Sequence, residues 1–211
     1  MLGAKPELKV SVFSDYICPF CYIGSRRLLR LDADFDLKVN WCGLEIHPET
    51  PAAGMPITEL GYPSEQWSRM MAVLEEMATA EGIDFSSHDF TTNSRKALLL
   101  SEAAKQAGRE QFYALHERLF SAFFTQRQNI GDEPVLRALA RESGVGDAIV
   151  ESAWRDPRHE TRLKLNLQWA VALGVNSTPS YVIGTDVLVG AVPLEDLRAA
   201  AEKALQKEGI L

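Results

Sequence analysis

The chain has 211 residues, of which 46% are hydrophobic and 24% charged. That mix excludes a disordered chain, and the length suits one large domain or one domain with a sizeable insertion. Lys and Arg number 22 against 29 Asp and Glu, a formal charge of −7, which disfavours nucleic-acid phosphates and anionic membranes as partners.

Three cysteines are too few for a secreted disulfide framework. The opening MLGAKPELKV lacks the apolar stretch of a signal peptide, and no segment approaches the ~18 apolar residues of a membrane span. The expected compartment is therefore the cytoplasm, where thiols are kept reduced.

Leu8, Val10 and Val12 alternate with polar neighbours, which predicts a strand over 8–14. A four-residue loop, DYIC, follows. Pro19 sits well at a first helical position, where its missing N–H costs nothing, and the helix is expected to run to about residue 31. Residues 37–46 alternate again through Leu37, Val39 and Trp41. Strand, helix, strand over so short a span predicts a βαβ unit with parallel strands.

Pro48, Pro51, Pro56 and Pro63 mark a loop. From 64 to 174 the spacing is helical. The first helix should stop at Gly82, and a second, through Ala97, Leu100 and Ala104, at Gly108. Phe112, His116, Leu119 and Phe123 form a third stripe. Two more segments follow, the first ending at Gly144. A last helix is opened by Asp156-Pro157 as cap and first residue, with Gly174 just past its end. Residues 180–184 and 187–190 then predict a hairpin around Thr185-Asp186, and Pro193 opens a final helix with Leu197, Ala201, Ala204 and Leu205 on its apolar face.

The predicted class is α/β. Residues 1–50 and 176–211 are expected to form one discontinuous domain around a single sheet, with 51–175 as an inserted helical domain.

Cys18-Pro19-Phe20-Cys21 falls between a strand end and a helix start. The free N–H groups and the macrodipole of a helix N-terminus favour negative charge, and the thiolate is the reactive form of cysteine. Cys21, three residues on, is within reach of Cys18 for thiol–disulfide exchange. Phe20 offers an apolar surface beside the sulfur. Two alternatives stand beside redox chemistry. The pair can be small core residues, or Cys18, Cys21, Cys42 and His47 can be zinc ligands; no second C-x-x-C supports the latter. Ser177-Thr178-Pro179-Ser180 precedes the hairpin, and an X-Pro bond there can be cis.

Together these features resemble the thioredoxin superfamily. The long helical block before Thr178-Pro179 looks like the DsbA branch, and SDYICPFCYIG with GVNSTPSYVIG resembles the cytosolic FrnE-like dithiol–disulfide oxidoreductases. The resemblance implies a thioredoxin-like fold with a large helical insertion between the βαβ and ββα halves. It implies Cys18 as nucleophile, Cys21 as resolving cysteine and Pro179 as a cis-proline facing them. Thr178 would be the residue whose backbone pairs with an incoming strand or with glutathione. Phe20 stands where relatives often carry Trp or His, so a less oxidising pair than in the strongest oxidants is expected.

The expected partner is a thiol or disulfide, protein or low-molecular-weight. No cofactor is expected to be tightly bound, and glutathione is a candidate co-substrate. The rival activity is that of the glutathione-dependent 2-hydroxychromene-2-carboxylate isomerases and kappa-class glutathione transferases, whose usual Ser-Pro-Tyr-type motifs lack the second cysteine. A third reading is a peptide-binding module using the apolar surface at Phe20. Cys42 is expected to be a buried structural thiol and His116 a satisfied core histidine. Asp15, Glu45 and His47 could tune the thiols if the fold brings them near, and are otherwise expected in ordinary structural or solvated roles. Arg26, Arg27 and Arg30 are expected as a solvated face or a cationic rim for an acidic substrate.

Overall fold

The computed structural model describes residues 5–85 and 89–210. Strand β1 (Glu7–Ser14) runs into the loop that carries Cys18, and α1 (Pro19–Leu29) follows with Pro19 in its first turn. The helix tightens at its end into a 3-10 turn (Arg30–Ala33), so its regular part stops short of residue 31. β2 (Asp36–Gly43) pairs parallel to β1 along its whole length, Val10 against Val39 and Val12 against Trp41. It ends at Gly43 rather than at 46.

Two short strands, β3 (Met55–Pro56) and β4 (Phe90–Thr91), pair antiparallel across the loop region. They are too short to show a period of two, and β4 lies in a stretch read as helical. The helices are α2 (Ser64–Glu81), α3 (Arg95–Ala104), α4 (Arg109–Phe124), α5 (Glu133–Glu142), α6 (Asp147–Arg155) and α7 (Pro157–Ala172). Asp156 caps α7 by accepting from the Arg158 backbone N–H. The chain closes with β5 (Ser180–Ile183), β6 (Asp186–Val189) and α8 (Leu194–Lys207). The hairpin turn is Gly184-Thr185, one residue earlier than the predicted Thr185-Asp186. Gly184 has φ +57, a left-handed conformation that glycine adopts at little cost.

The main sheet has the order β2-β1-β5-β6, with β5 antiparallel to β1. This is the thioredoxin-like architecture with helices between the two sheet-forming halves. One contiguous apolar cluster joins Val10, Val12, Tyr181 and Ile183 of the sheet to Leu98, Leu115, Phe120 and Phe123 of the helices. A smaller cluster of Phe13, Cys42 and Ala170 packs separately. No helix among the described residues is long and apolar enough to cross a membrane.

Candidate active site

Cys18 is the N-cap of α1, in an extended conformation, and its backbone N–H donates to the Asp15 carbonyl at 3.2 Å. Cys21 lies one turn inside, and the two cysteines approach to 3.4 Å. All three cysteines are free thiols. Cys18 is 6% exposed and Cys21 1%. The Thr178–Pro179 peptide bond is cis. The Thr178 carbonyl accepts from the Cys18 thiol at 3.5 Å, across 160 residues of chain. The two segments singled out in the sequence therefore meet at Cys18.

The sulfurs are electrostatically unequal. A hydrogen bond from the Cys21 thiol holds Cys18 below the usual thiol range, against the effect of burial. The Cys21 backbone N–H adds to this lowering, and the Asp15 charge opposes it. Burial pushes Cys21 well up, and its bond to Cys18 adds to the rise. Cys18 is therefore the more acidic of the two thiols.

Asp15 does more than a solvated carboxylate would. It is fully buried, and its carboxyl accepts from the Ile46 N–H at 2.9 Å, the Ser94 hydroxyl at 2.9 Å and the Ile17 N–H at 3.4 Å. It ties the cysteine loop to the segment after β2 and to the start of α3. Burial raises its pKa to about 7, with these hydrogen bonds acting in the other direction. Glu45 pairs instead with Arg95, which also reaches Glu160. His47 contacts Glu49 and Tyr62.

His116 is a satisfied core histidine. Its ring nitrogens bond the hydroxyls of Tyr16 and Ser25, each at 2.8 Å, and burial lowers its pKa to about 3, so it is neutral. Cys42 lies apart from Cys18 in the Phe13 cluster, with burial lifting its pKa to about 11. No three His, Cys, Asp or Glu side chains gather into a metal-binding group among the described residues.

Of the three arginines after the motif, Arg30 is solvated as expected, whereas Arg27 is buried and none is a free cation. Arg27, 8% exposed, pairs with Glu81 at 2.8 Å and donates to the Ala191 carbonyl at 2.7 Å. Arg26 pairs with Glu117 at 2.6 Å, and Arg30 reaches the far oxygen of Glu81. Each has an acidic partner, because α2 and α4 pack onto the face from which these arginines project.

Beside Cys18 lies a cavity of about 370 Å³. Phe20 and Pro19 form part of its wall, as do Thr178, Tyr62 and the α2 residues Trp67, Met70, Met71 and Leu74. The spacing i, i+3, i+4, i+7 on α2 was visible in the sequence. Its pairing with the cysteine motif was not, since the Pro-rich loop hides where α2 returns.

The match to known families agrees with this geometry. Residues 9–202 match the model of the DSBA-like thioredoxin domain. The chain belongs to the DsbA-like thioredoxin domain family, a family of oxidoreductases and isomerases. It is 28% identical over 205 residues to YwbO, an uncharacterized protein of Bacillus subtilis, covering 94% of this chain and 96% of that one. Its fold is similar to that of a "probable DsbA oxidoreductase" of Streptomyces coelicolor, with TM-score 0.80, 23% identity and coverage of 96% and 91%. It is also similar to the cytosolic disulfide reductase DsbM of Pseudomonas aeruginosa, with TM-score 0.69, 19% identity and coverage of 94% and 99%. A 2-hydroxychromene-2-carboxylate isomerase shares the fold at TM-score 0.72 and 18% identity, over 96% of this chain and 98% of that one.

Proposed function

We propose that this protein is a cytosolic dithiol–disulfide oxidoreductase in which Cys18 is the nucleophile and Cys21 the resolving cysteine. The observation that carries the reading is the pair itself: two cysteines 3.4 Å apart at a helix start, one thiol pKa lowered and the other raised. The Cys18 thiolate attacks a substrate disulfide and that S–S bond breaks. The first leaving thiolate takes up a proton, and a mixed disulfide remains on Cys18. Cys21 then gives up its proton and attacks the Cys18 sulfur, releasing the second thiol and leaving a Cys18–Cys21 disulfide. Run backwards, the same steps oxidise a dithiol. Two sulfurs carry both electrons, so the chemistry calls for no bound cofactor. Phe20 and Thr178 line the cavity beside Cys18, Pro179 follows Thr178 through the cis bond, and the three would position the substrate. The cytosolic assignment has support from the fold shared with DsbM.

The glutathione-dependent isomerase reading has support from the shared fold. A second thiol 3.4 Å from Cys18 counts against it, since Cys21 would displace glutathione from any mixed disulfide. The test is trapping. Cys21→Ser should accumulate a mixed disulfide on Cys18 visible by mass spectrometry, and Cys18→Ser should lose exchange activity by at least about a hundredfold. Full exchange activity in Cys18→Ser, or isomerase turnover with glutathione that survives Cys21→Ala, contradicts the proposal.

A further inference from the structure

The cavity beside Cys18 has a volume of about 370 Å³, inside the usual range of small-molecule sites. Its walls carry Phe20, Tyr62, Trp67, Met71 and Phe124. Aromatic faces and a thioether suit a flat apolar group. None of the described lining residues is Lys or Arg. The arginines of the adjacent helix α1 are already bound to Glu81 and Glu117. The carboxylate beside the wall residue His47 is that of Glu49, at 3.4 Å. Cys18 itself is 6% exposed.

From this cavity we infer that the substrate of the Cys18–Cys21 pair is a small, uncharged disulfide bearing aromatic substituents, and that glutathione disulfide and protein disulfides are poor substrates. The inference rests on the exchange chemistry proposed above. Each half of glutathione disulfide carries two carboxylates. Bringing them into an apolar wall without a cationic partner costs free energy that attraction does not return. A protein disulfide would have to reach a residue that is only 6% exposed, at the wall of a cavity of about 370 Å³. An uncharged aromatic disulfide meets neither obstacle. In the reduced protein, the Cys18 thiolate attacks one of its sulfurs, the S–S bond breaks and one aromatic thiol leaves with a proton. Cys21 then displaces the second aromatic thiol, so the substrate is reduced by two electrons as the protein disulfide forms.

The test is a single-turnover comparison with the reduced full chain. Four probes are used: 4,4′-dithiodipyridine, the anionic 5,5′-dithiobis(2-nitrobenzoate), glutathione disulfide and an unfolded disulfide-bonded protein. Each rate is divided by the rate of the same probe with free 2-mercaptoethanol thiolate, which removes intrinsic reactivity. The normalised rate for dithiodipyridine is expected to exceed that for each of the other three by roughly 30-fold, the scale of burying one apolar ring against none for glutathione disulfide and the protein, and of leaving a ring carboxylate without a cationic partner for the nitrobenzoate. Met71→Lys, checked for folding by circular dichroism, is expected to shrink that preference about tenfold, the scale of one lost apolar contact of this size. Normalised rates within about threefold of one another, or an unchanged preference in Met71→Lys, overturn the inference while leaving the exchange chemistry intact. Failure of every probe to produce a Cys18–Cys21 disulfide defeats the exchange reading itself.

Discussion

Cys18 gains its acidity without a nearby cation. The groups that lower its pKa are the Cys21 thiol first, then Thr178 and the Cys21 backbone N–H, while burial and the Asp15 carboxylate oppose them. Cys21→Ala should therefore raise the midpoint of Cys18 alkylation by iodoacetamide toward the ordinary thiol value of about 8.5. Cys21→Ser, which keeps a donor, should raise it less. Equal midpoints in wild type and Cys21→Ala would show that the helix start alone sets the thiolate. Asp15 supplies a second residue-scale expectation. Its folded pKa of about 7 lies above the usual value of 3.8. Its contribution to stability is then fully present below about pH 4 and is lost as pH rises through about 7. Between pH 5 and pH 8 the wild type should lose on the order of 2 kcal/mol from this group, and Asp15→Asn should lack that part of the slope. Urea denaturation of both proteins at the two pH values measures the difference; identical slopes refute the assignment. Nothing in the sequence distinguished Asp15 from a solvated loop acid. Its three hydrogen-bond partners come from residues 17, 46 and 94, which only the fold brings together.

At the scale of elements, α1 and β5 approach closely because Gly24 has no side chain. A Cβ there would stand 2.1 Å from the Tyr181 hydroxyl oxygen and 2.9 Å from Pro179. Gly24→Ala should thus cost on the order of 2 kcal/mol by overpacking, and slow exchange at Cys18 by displacing Pro179. The buried Tyr181 hydroxyl has no hydrogen-bond partner among the described residues, so Tyr181→Phe should relieve part of the clash at little cost. A double-mutant cycle in thermal or urea melts should give a coupling of at least about 0.5 kcal/mol, and strict additivity would mean that the helix moves instead. The helices were legible because each buries a stripe at helical spacing, as α4 does with Phe112, His116, Leu119 and Phe123. In α7 the charged run 158–164 is not exposed throughout. His159 and Leu163 are buried there, since α7 turns that side toward the core. The β3–β4 pair escaped notice because two-residue strands leave no pattern.

Across the whole molecule, the cysteine motif and Thr178-Pro179 are separated by most of the chain, and the sheet order β2-β1-β5-β6 joins them. β1 delivers Cys18 at its end, while antiparallel β5 begins directly after Pro179 at that same end. That convergence was legible from the two motifs and the order of elements. The cavity was not. Its α2 wall packs through contacts such as the buried Arg27–Glu81 pair, and ion pairs of this length leave no trace in local periodicity. Arg27 was for the same reason misread as a surface charge.

The most direct measurement is equilibration of the full chain in thiol–disulfide buffers of stepped potential, with thiols counted and peptides mapped at each step. The expected result is one transition with the two-electron slope of about 30 mV per tenfold change, in which Cys18 and Cys21 become linked to each other while Cys42 stays reduced. Two thiols that titrate independently, or a link between Cys42 and either of them, would mean that residues 18 and 21 are not a redox couple.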